Sequence, residues 1–220
     1  MRRSVTVTWS AAAAVAVLLA AGCSRGGGDD DGDLPDAAGL MTAAADEMAQ
    51  VETVAMLLES DTDLGGLAVR RVDGVLTQAG DADGVALVEQ LGTQVELKFR
   101  VVGETFYYQL IGGWQQQPLA EAADYYDPSA ILDPDRGIAQ LLRSATDPQV
   151  ERRDGDQYEV TATFPAEQLD VVLPGAQETR GTVWIGVDRP LLHRAQFPVE
   201  EGTVTVTLSK FDEPVTIVAP

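Results

Sequence analysis

Four aspartates near the middle of the chain are the side chains whose type and spacing come closest to a catalytic pair. Asp124, Asp127, Asp133 and Asp135 lie in one short stretch, and two suitably spaced carboxyl groups can cleave a glycosidic bond by acid–base chemistry. Asp127 and Asp133 each precede a proline, which is also the pattern of a helix N-cap followed by the first helical residue. The cluster therefore has two interpretations, an acid pair or two helix caps, and capping explains its spacing without a substrate.

Other catalytic arrangements lack the residues they need. His193 is the only histidine and Cys23 the only cysteine, so neither a multi-histidine zinc site nor a serine–histidine–carboxylate triad has support beyond composition. Glycine pairs such as Gly112-Gly113 lack the lysine or the G-x-G-x-x-G context of phosphate-binding loops. The sequence predicts no catalytic residue, no metal site and no cofactor, and His193 is interpreted as a strand residue on the wetter face of a sheet.

Cys23 is the side chain with the clearest chemistry. It follows Arg2-Arg3 and an apolar run at residues 11–21, which together form a secretory signal too short to span a bilayer. Residues 20–23, Ala-Ala-Gly-Cys, resemble the lipobox, in which a diacylglycerol is attached to the cysteine sulfur and the cysteine becomes the new N-terminus. We expect residues 1–22 to be a lipoprotein signal peptide that is removed and Cys23 to be lipidated. An ordinary secreted protein with one spare thiol is the alternative.

The charge of the chain and the residues after Cys23 indicate where the protein works. With 35 acidic against 15 basic residues and a net charge of −20, the chain repels phosphate backbones, so no nucleic-acid partner is expected. Residues 23–35 are predicted to be the lipidated cysteine and a flexible acidic tether. Residues 36–220 suit a single domain without disulfides. We expect a monomer, lipid-anchored at the extracytoplasmic face of the plasma membrane, with part of the population in the cell wall.

Hydrophobic periodicity predicts one helix followed mostly by strands. From Asp36 the apolar residues fall on one helical stripe, and residues 95–101 alternate as a half-buried strand. Similar strands are predicted within 106–110, 158–164, 183–187 and 204–208, with weaker ones at about 52–62, 67–79 and 190–198. Turn residues at 102–104, 154–156 and 200–202 predict antiparallel pairing of neighbouring strands.

Short helices are predicted between and beside these strands. Asp127-Pro128 and Asp133-Pro134 would each begin one, and the second would end near Asp147-Pro148. Another is expected at about 166–172. The fold class is therefore α+β, with some eight strands and few helices to cover them.

A wide sheet with one apolar face and few covering helices leaves two arrangements open. The helices either fill the concave face of the sheet, which gives a normally packed core, or leave an apolar cavity between the two layers. A cavity lined by valine, leucine, phenylalanine and methionine would suit acyl chains. The hydrophobic pattern alone does not decide between these arrangements.

Several sequence blocks resemble one known family. The block from Tyr126 to Gly137, Tyr-Asp-Pro-Ser-Ala-Ile-Leu-Asp-Pro-Asp-Arg-Gly, is similar to the central segment of the actinobacterial LppX/LprA/LprF/LprG lipoproteins. Gly113-Trp114, residues 181–185 and residues 207–215 resemble further segments of the same family, in the same order. The likeness covers nearly all of residues 35–220.

The resemblance implies a fold, a job and partners. The fold would be a strongly curved antiparallel half-barrel that closes over several helices and encloses a large hydrophobic cavity, as in the LolA/LolB lipoprotein carriers. The function would be to bind multiply acylated lipids or glycolipids, triacylglycerol among them, and to carry them from the plasma membrane toward the outer envelope. In some members of the family, a major facilitator efflux pump would be the partner. An enzyme that modifies envelope glycolipids with the acidic residues near 124–135, and a ligand-free accessory subunit of an envelope transporter, are the alternatives.

On this hypothesis, the apolar faces of the predicted elements line the cavity and polar side chains stand at its rim. The predicted head-group rim is Asp124, Asp127 and Arg136, whose side chains could hydrogen-bond sugar hydroxyls. The predicted lining residues are Met56, Leu58, Val72, Leu76, Val85, Leu87, Val95, Leu97, Phe99, Val101, Phe106, Tyr108, Leu110, Ile138, Leu141, Leu142, Val160, Val183, Ile185, Val204, Val206 and Leu208.

Overall fold

The structure is a computed structural model of the 220-residue chain. It describes residues 34–63, 68–90, 92–122, 127–199 and 202–220. Cys23, most of the predicted tether and Asp124 lie outside these ranges.

The first described element is the predicted amphipathic helix. Helix α1 spans Ala37–Met48, and the Asp36 carboxylate caps it by accepting a hydrogen bond from the Gly39 backbone N–H at 2.6 Å. Met41, Ala44, Ala45 and Met48 are buried on one side. The helix therefore presents an apolar stripe to the rest of the protein, as its periodicity predicts.

Eleven antiparallel strands form one continuous sheet. The strands are β1 Thr53–Ser60, β2 Val69–Thr77, β3 Ala82–Gln90, β4 Thr93–Val102, β5 Thr105–Gln109, β6 Gln115–Pro118, β7 Thr146–Asp154, β8 Gln157–Phe164, β9 Thr179–Gly186, β10 Leu192–Val199 and β11 Gly202–Ser209. Their spatial order is β6-β5-β4-β3-β2-β1-β11-β10-β9-β8-β7. Two meanders thus meet where β1 pairs with β11, and the curved sheet stays open, with β6 and β7 at its two edges.

The remaining helices are short and lie in the connections. They are α2 Leu119–Ala122, a 3₁₀ turn at Pro128–Ala130, α3 Ile138–Ser144 and α4 Ala166–Val172. Their apolar residues join α1 and the inward-facing strand residues in one hydrophobic cluster. The predicted α+β class, a strongly curved antiparallel sheet over several helices, is confirmed. Within the described ranges, no helix has the length and hydropathy needed to cross a membrane.

The first central helix begins as predicted, with Asp127 as N-cap and Pro128 as the first residue of the 3₁₀ turn, but the second begins and ends differently from the prediction. Asp133 does not cap a helix, because its carboxylate accepts hydrogen bonds from the Asp135 backbone N–H and the Arg136 guanidinium. Helix α3 begins after Gly137, which sits so close to the Ile131 carbonyl oxygen that any Cβ there would collide with it. It ends at Ser144, and residues 147 and 148 belong to edge strand β7, where proline costs no ladder hydrogen bond on the solvent side.

Strand β3 faces the other way from the prediction. Val85 pairs with Asp73 and Lys98, and Leu87 pairs with Arg71 and Glu96, so both apolar side chains lie on the outer face. The inward positions of β3 are small residues instead. The prediction that Val85 and Leu87 line a cavity is therefore wrong.

Candidate functional site

An apolar cavity of about 390 Å³ lies between the sheet and the short connecting helices. Strands β1 to β6 supply one wall, and the last residues of α2 and α4 together with residues that follow them supply the other. The lining residues are Leu58, Ala68, Val69, Val72, Ala86, Val88, Glu89, Leu97, Phe99, Phe106, Gln117, Ala122, Pro128, Val172, Leu173 and Pro174. Glu89 and Gln117 are the only polar residues in this lining, so the cavity suits an apolar ligand.

Most of the predicted lining residues fall into three groups, and Leu58 belongs to two of them. Those that line the cavity are Leu58, Val72, Leu97, Phe99 and Phe106. Those that surround an adjacent apolar void of about 20 Å³ are Met56, Leu58, Ile138, Leu141, Leu142, Val183 and Val206. Those buried in the core away from both spaces are Leu76, Val101, Val160, Ile185, Val204 and Leu208.

Three further predicted residues lie near the edge of the sheet. Val95 is half-buried on the inner face. Tyr108 donates its hydroxyl to the Gln115 side-chain oxygen at 2.8 Å. Leu110 is 39% exposed, because β5 ends at Gln109 and the alternation of the strand does not reach it. Leu110 is therefore wrong as a residue of the cavity wall.

Small residues opposite Phe99 make room for the cavity wall to curve. Gly74 pairs with Gly84 across β2 and β3, and a Cβ on Gly84 would come within 2.7 Å of the Phe99 ring. The far edge of the ring therefore packs against the bare backbone of Gly84. Ala86, the next inward residue of β3, continues this thin part of the wall.

The wall is less covered at one end of the strands. Val72 and Ala86 are buried, whereas Val69 and Val88, farther along the same two strands, are half-exposed. Leu97 on β4, close to this end, is half-exposed as well. The cavity therefore opens toward the end of the sheet where β2 begins and β3 ends, and we call this end the mouth.

A group of ion-paired side chains stands at the mouth. Arg70 Nε lies 3.2 Å from a Glu89 carboxylate oxygen, and Arg70 Nη1 lies 3.0 Å from an Asp63 carboxylate oxygen. A register shift between Val69 and Arg71 allows Val69 to face the cavity while Arg70 turns toward Glu89. We call Asp63, Arg70 and Glu89 the mouth triad. Its residues were not predicted from the sequence, because a β-bulge leaves no periodic signal.

Asp127 and Arg136, the two residues of the predicted head-group rim that the structure describes, lie elsewhere. Asp127 accepts hydrogen bonds from the backbone and hydroxyl of Ser129, next to Pro128 of the cavity wall. Gly80, which follows the far end of β2, lies against Ser129. This group is therefore at the opposite end of β2 from the mouth triad, and Arg136 beside it is mainly paired with Asp133 at 2.9 Å.

Asp133, one member of the acidic cluster, does not have the electrostatics of a general acid. Partial burial works to raise the pKa of Asp133, but hydrogen bonds from the Asp135 backbone and from Arg136 outweigh it and lower that pKa. A carboxylic acid that protonates a leaving group needs its pKa raised instead. Among the described residues, the geometry therefore gives no support to a glycosidase-like pair.

His193 and the other potential ligands also lack a catalytic setting. Its ring packs edge-on against Phe211 with centroids 5.3 Å apart, and burial lowers the pKa of the imidazole despite the nearby charge of Asp156. Across the part of the chain that the structure describes, no group of three or more histidine, cysteine or acidic residues is placed to hold a metal ion.

The fold and cavity define a class of protein, an open antiparallel half-barrel with an apolar interior. The chain belongs to the LppX_LprAFG lipoprotein family, whose model matches residues 36–217. The resemblance inferred from the sequence blocks is thereby confirmed.

Relatives and solved structures agree with this assignment. The chain is 34% identical over 199 residues to the lipoarabinomannan carrier protein LprG of Mycolicibacterium hassiacum, covering 86% of each chain. It is 31% identical to the LprG of Mycolicibacterium smegmatis, covering 86% of this chain and 85% of that protein. The crystal structure of LprF from Mycobacterium bovis superposes with a TM-score of 0.74 at 25% identity, covering 85% of this chain and 98% of that one.

Proposed function

We propose that this lipoprotein binds acylated lipids or glycolipids in its cavity and carries them from the plasma membrane toward the outer cell envelope. The observation that carries the proposal is the apolar cavity of about 390 Å³, open at one end of the sheet. The names of the LprG relatives, which describe lipoarabinomannan carriers, support it. Cys23 would be the lipid anchor, and residues 23–35 the tether between the membrane and the lipid-binding domain at 36–220.

The cavity would work by giving acyl chains an apolar surface in place of water. Each methylene group removed from water contributes about 0.8 kcal/mol before ordering costs. A chain that moves from the bilayer to the cavity passes between two apolar surroundings, so the net free-energy change is small. Exchange can therefore run near equilibrium, driven by lipid supply or by a partner such as a major facilitator efflux pump, without a nucleotide.

The two neighbouring spaces give acyl chains a route deeper into the protein. The void of about 20 Å³ shares Leu58 and Val172 with the main cavity. Rotation of these two side chains would join the spaces. The main cavity alone is at the low end of the roughly 300–1,000 Å³ of ligand pockets, so a multiply acylated lipid would use both.

Native mass spectrometry of residues 36–220, purified from an actinobacterial host, tests the proposal. We expect a population with a lipid-sized mass increment that disappears on delipidation and returns when lipid is added. Turnover of the added lipid would instead favour the enzyme alternative. A protein that stays at its apo mass after lipid addition would contradict the carrier and favour a ligand-free accessory subunit.

We also propose that the mouth triad contacts the head group. Carboxylates and a guanidinium together offer acceptors and donors for sugar hydroxyls or a phosphate, and Glu89 directly follows Val88 of the cavity lining. The rim proposed from the sequence, Asp124, Asp127 and Arg136, remains a second candidate, and its residue Asp127 adjoins Pro128 of the cavity wall. The two candidates differ in position, so substitutions can separate them.

Replacing Arg70 by alanine is expected to reduce retention of a glycolipid more than that of a triacylglycerol, because only the first has a polar head group. Arg71→Ala is the matched control, since the next residue also pairs with two carboxylates, Glu59 and Asp73, but faces outward. Competition between the two lipids, read by native mass spectrometry, measures the preference. Equal preferences in the two variants would assign the head group to another place, and Arg136→Ala would then test the second candidate.

A further inference from the structure

The hairpin of β5 and β6 is unusual in this acidic chain. Residues 105–118 contain no aspartate, glutamate, lysine or arginine, although the net charge of the chain is −20. At its turn, Ile111 is 84% exposed, with Leu110 at 39% and Trp114 at 36%. These three side chains are within five positions of one another. Exposed apolar side chains grouped in this way mark an interaction surface rather than ordinary surface variation.

The turn holds a defined shape that projects these side chains. Gly112 adopts a positive φ of 84°, which glycine tolerates at no steric cost, and its carbonyl accepts a hydrogen bond from the Gln109 side-chain amide. The Arg100 guanidinium packs over the Trp114 ring, 5.6 Å from the ring centroid, and holds the ring in place. This turn, residues 110–114, is therefore a preformed element, and we call it the apolar tip.

The tip lies at the mouth of the cavity. Lys98 pairs with Gln109, so residues 110–114 extend beside the start of β4, next to Leu97 of the cavity wall. Val69 and Val88, the half-exposed residues of the mouth, lie at the same end of the sheet. If the apolar tip inserts into a surface, the opening of the cavity therefore faces that surface.

We propose that Leu110, Ile111 and Trp114 insert into the lipid bilayer and set the cavity mouth against its surface. Three features favour a bilayer over a protein partner. Aliphatic and tryptophan side chains together are typical of the membrane interface, the hairpin carries no charge that burial in lipid would penalise, and Lys98 beside it has an exposed side chain that can reach phosphate groups. The statement that insertion serves lipid exchange rests on the proposed function. The insertion itself does not depend on that function.

Tryptophan quenching tests the insertion directly. The full-length chain, purified from membranes in detergent, is reconstituted into phosphatidylcholine vesicles with and without brominated acyl chains. The difference in emission between the wild type and Trp114→Phe isolates the Trp114 signal. We expect brominated lipid to quench this signal strongly, and Ile111→Asp to remove the quenching, since loss of one buried isoleucine weakens insertion by about tenfold or more.

Val215→Asp is the matched control. It adds the same charge at a residue with 37% exposure, two positions after Glu213, whose carbonyl accepts the Thr53 hydroxyl at the opposite end of the sheet. Its quenching should equal that of the wild type, and Ile111→Ser should repeat the loss without a charge. An unquenched Trp114 in the wild type would overturn the insertion. Lipid retention in native mass spectrometry reports separately on the carrier function, so either proposal can fail alone.

Discussion

Leu97→Trp is expected to abolish lipid binding while the melting temperature of the lipid-free protein stays near that of the wild type. Leu97 lines the cavity and is only half-buried, so the larger ring can occupy empty space. Excluding as few as two methylene groups of the ligand, at about 0.8 kcal/mol each, weakens binding about tenfold. Native mass spectrometry and thermal melting measure the two quantities.

Leu87→Trp provides the control for this substitution. Leu87 lies on the neighbouring strand, next to the partner of Leu97, but on the outer face of the sheet. It should retain lipid. Both variants must be compared after delipidation, because a bound ligand raises the melting temperature by mass action. A lower melting temperature with unchanged lipid binding would mean that Leu97 sits in a packed core, where enlargement costs about 1–3 kcal/mol.

Cys23→Ala is expected to move the protein from the membrane fraction to the soluble fraction without unfolding it. Stable anchoring requires two acyl chains or an equivalent second signal, and the acidic chain gains no electrostatic attraction from anionic lipids. The small apolar tip at residues 110–114 would support only transient contact. Fractionation of cells, with Ser24→Ala as the neighbouring control, measures the distribution, and a mutant that still sediments with washed membranes would contradict the lipid anchor.

The elements that the sequence predicts well are those with large apolar residues on one face. The alternation at 95–101 places Leu97 and Phe99 on the inner face, where the structure has them. The stripe of α1 and the short helix at 166–172 are also found close to their predicted bounds. In these segments, local periodicity and tertiary burial agree, so the pattern is sufficient.

Strands β3, β6 and β7 were not predicted from the sequence, for reasons that the structure identifies. In β3 the inward residues Ala82, Gly84 and Ala86 are small, because Phe99 from the next strand fills the space above Gly84. The large residues of that strand therefore point outward and invert the apparent pattern. Strand β6 is mostly glutamine and β7 is mostly exposed, so both depend on backbone pairing at the edges of the sheet rather than on an apolar face.

The candidate site was less predictable than the fold. The wall residues Leu58, Val72 and Leu97 come from strands whose periodicity is visible. The mouth triad depends instead on a bulge, and on a pairing that brings Arg70 to Glu89, 19 positions away. No local signal encodes such a contact. The Asp133 carboxylate is a local signal that predicts the wrong structure. Its position before a proline predicts a helix cap, but it accepts a hydrogen bond from the Asp135 backbone N–H in a turn.

The two unpaired edges of the sheet have a mechanical consequence. In a closed barrel, strand number and stagger fix the diameter, whereas here β6 and β7 end the sheet without meeting. The arc can therefore open or tighten by small changes of twist between neighbouring strands, with every ladder hydrogen bond kept. A wider arc exposes more apolar surface to water, and this exposure limits the size of the cargo. A bulkier cargo reduces that cost because it covers the newly exposed surface.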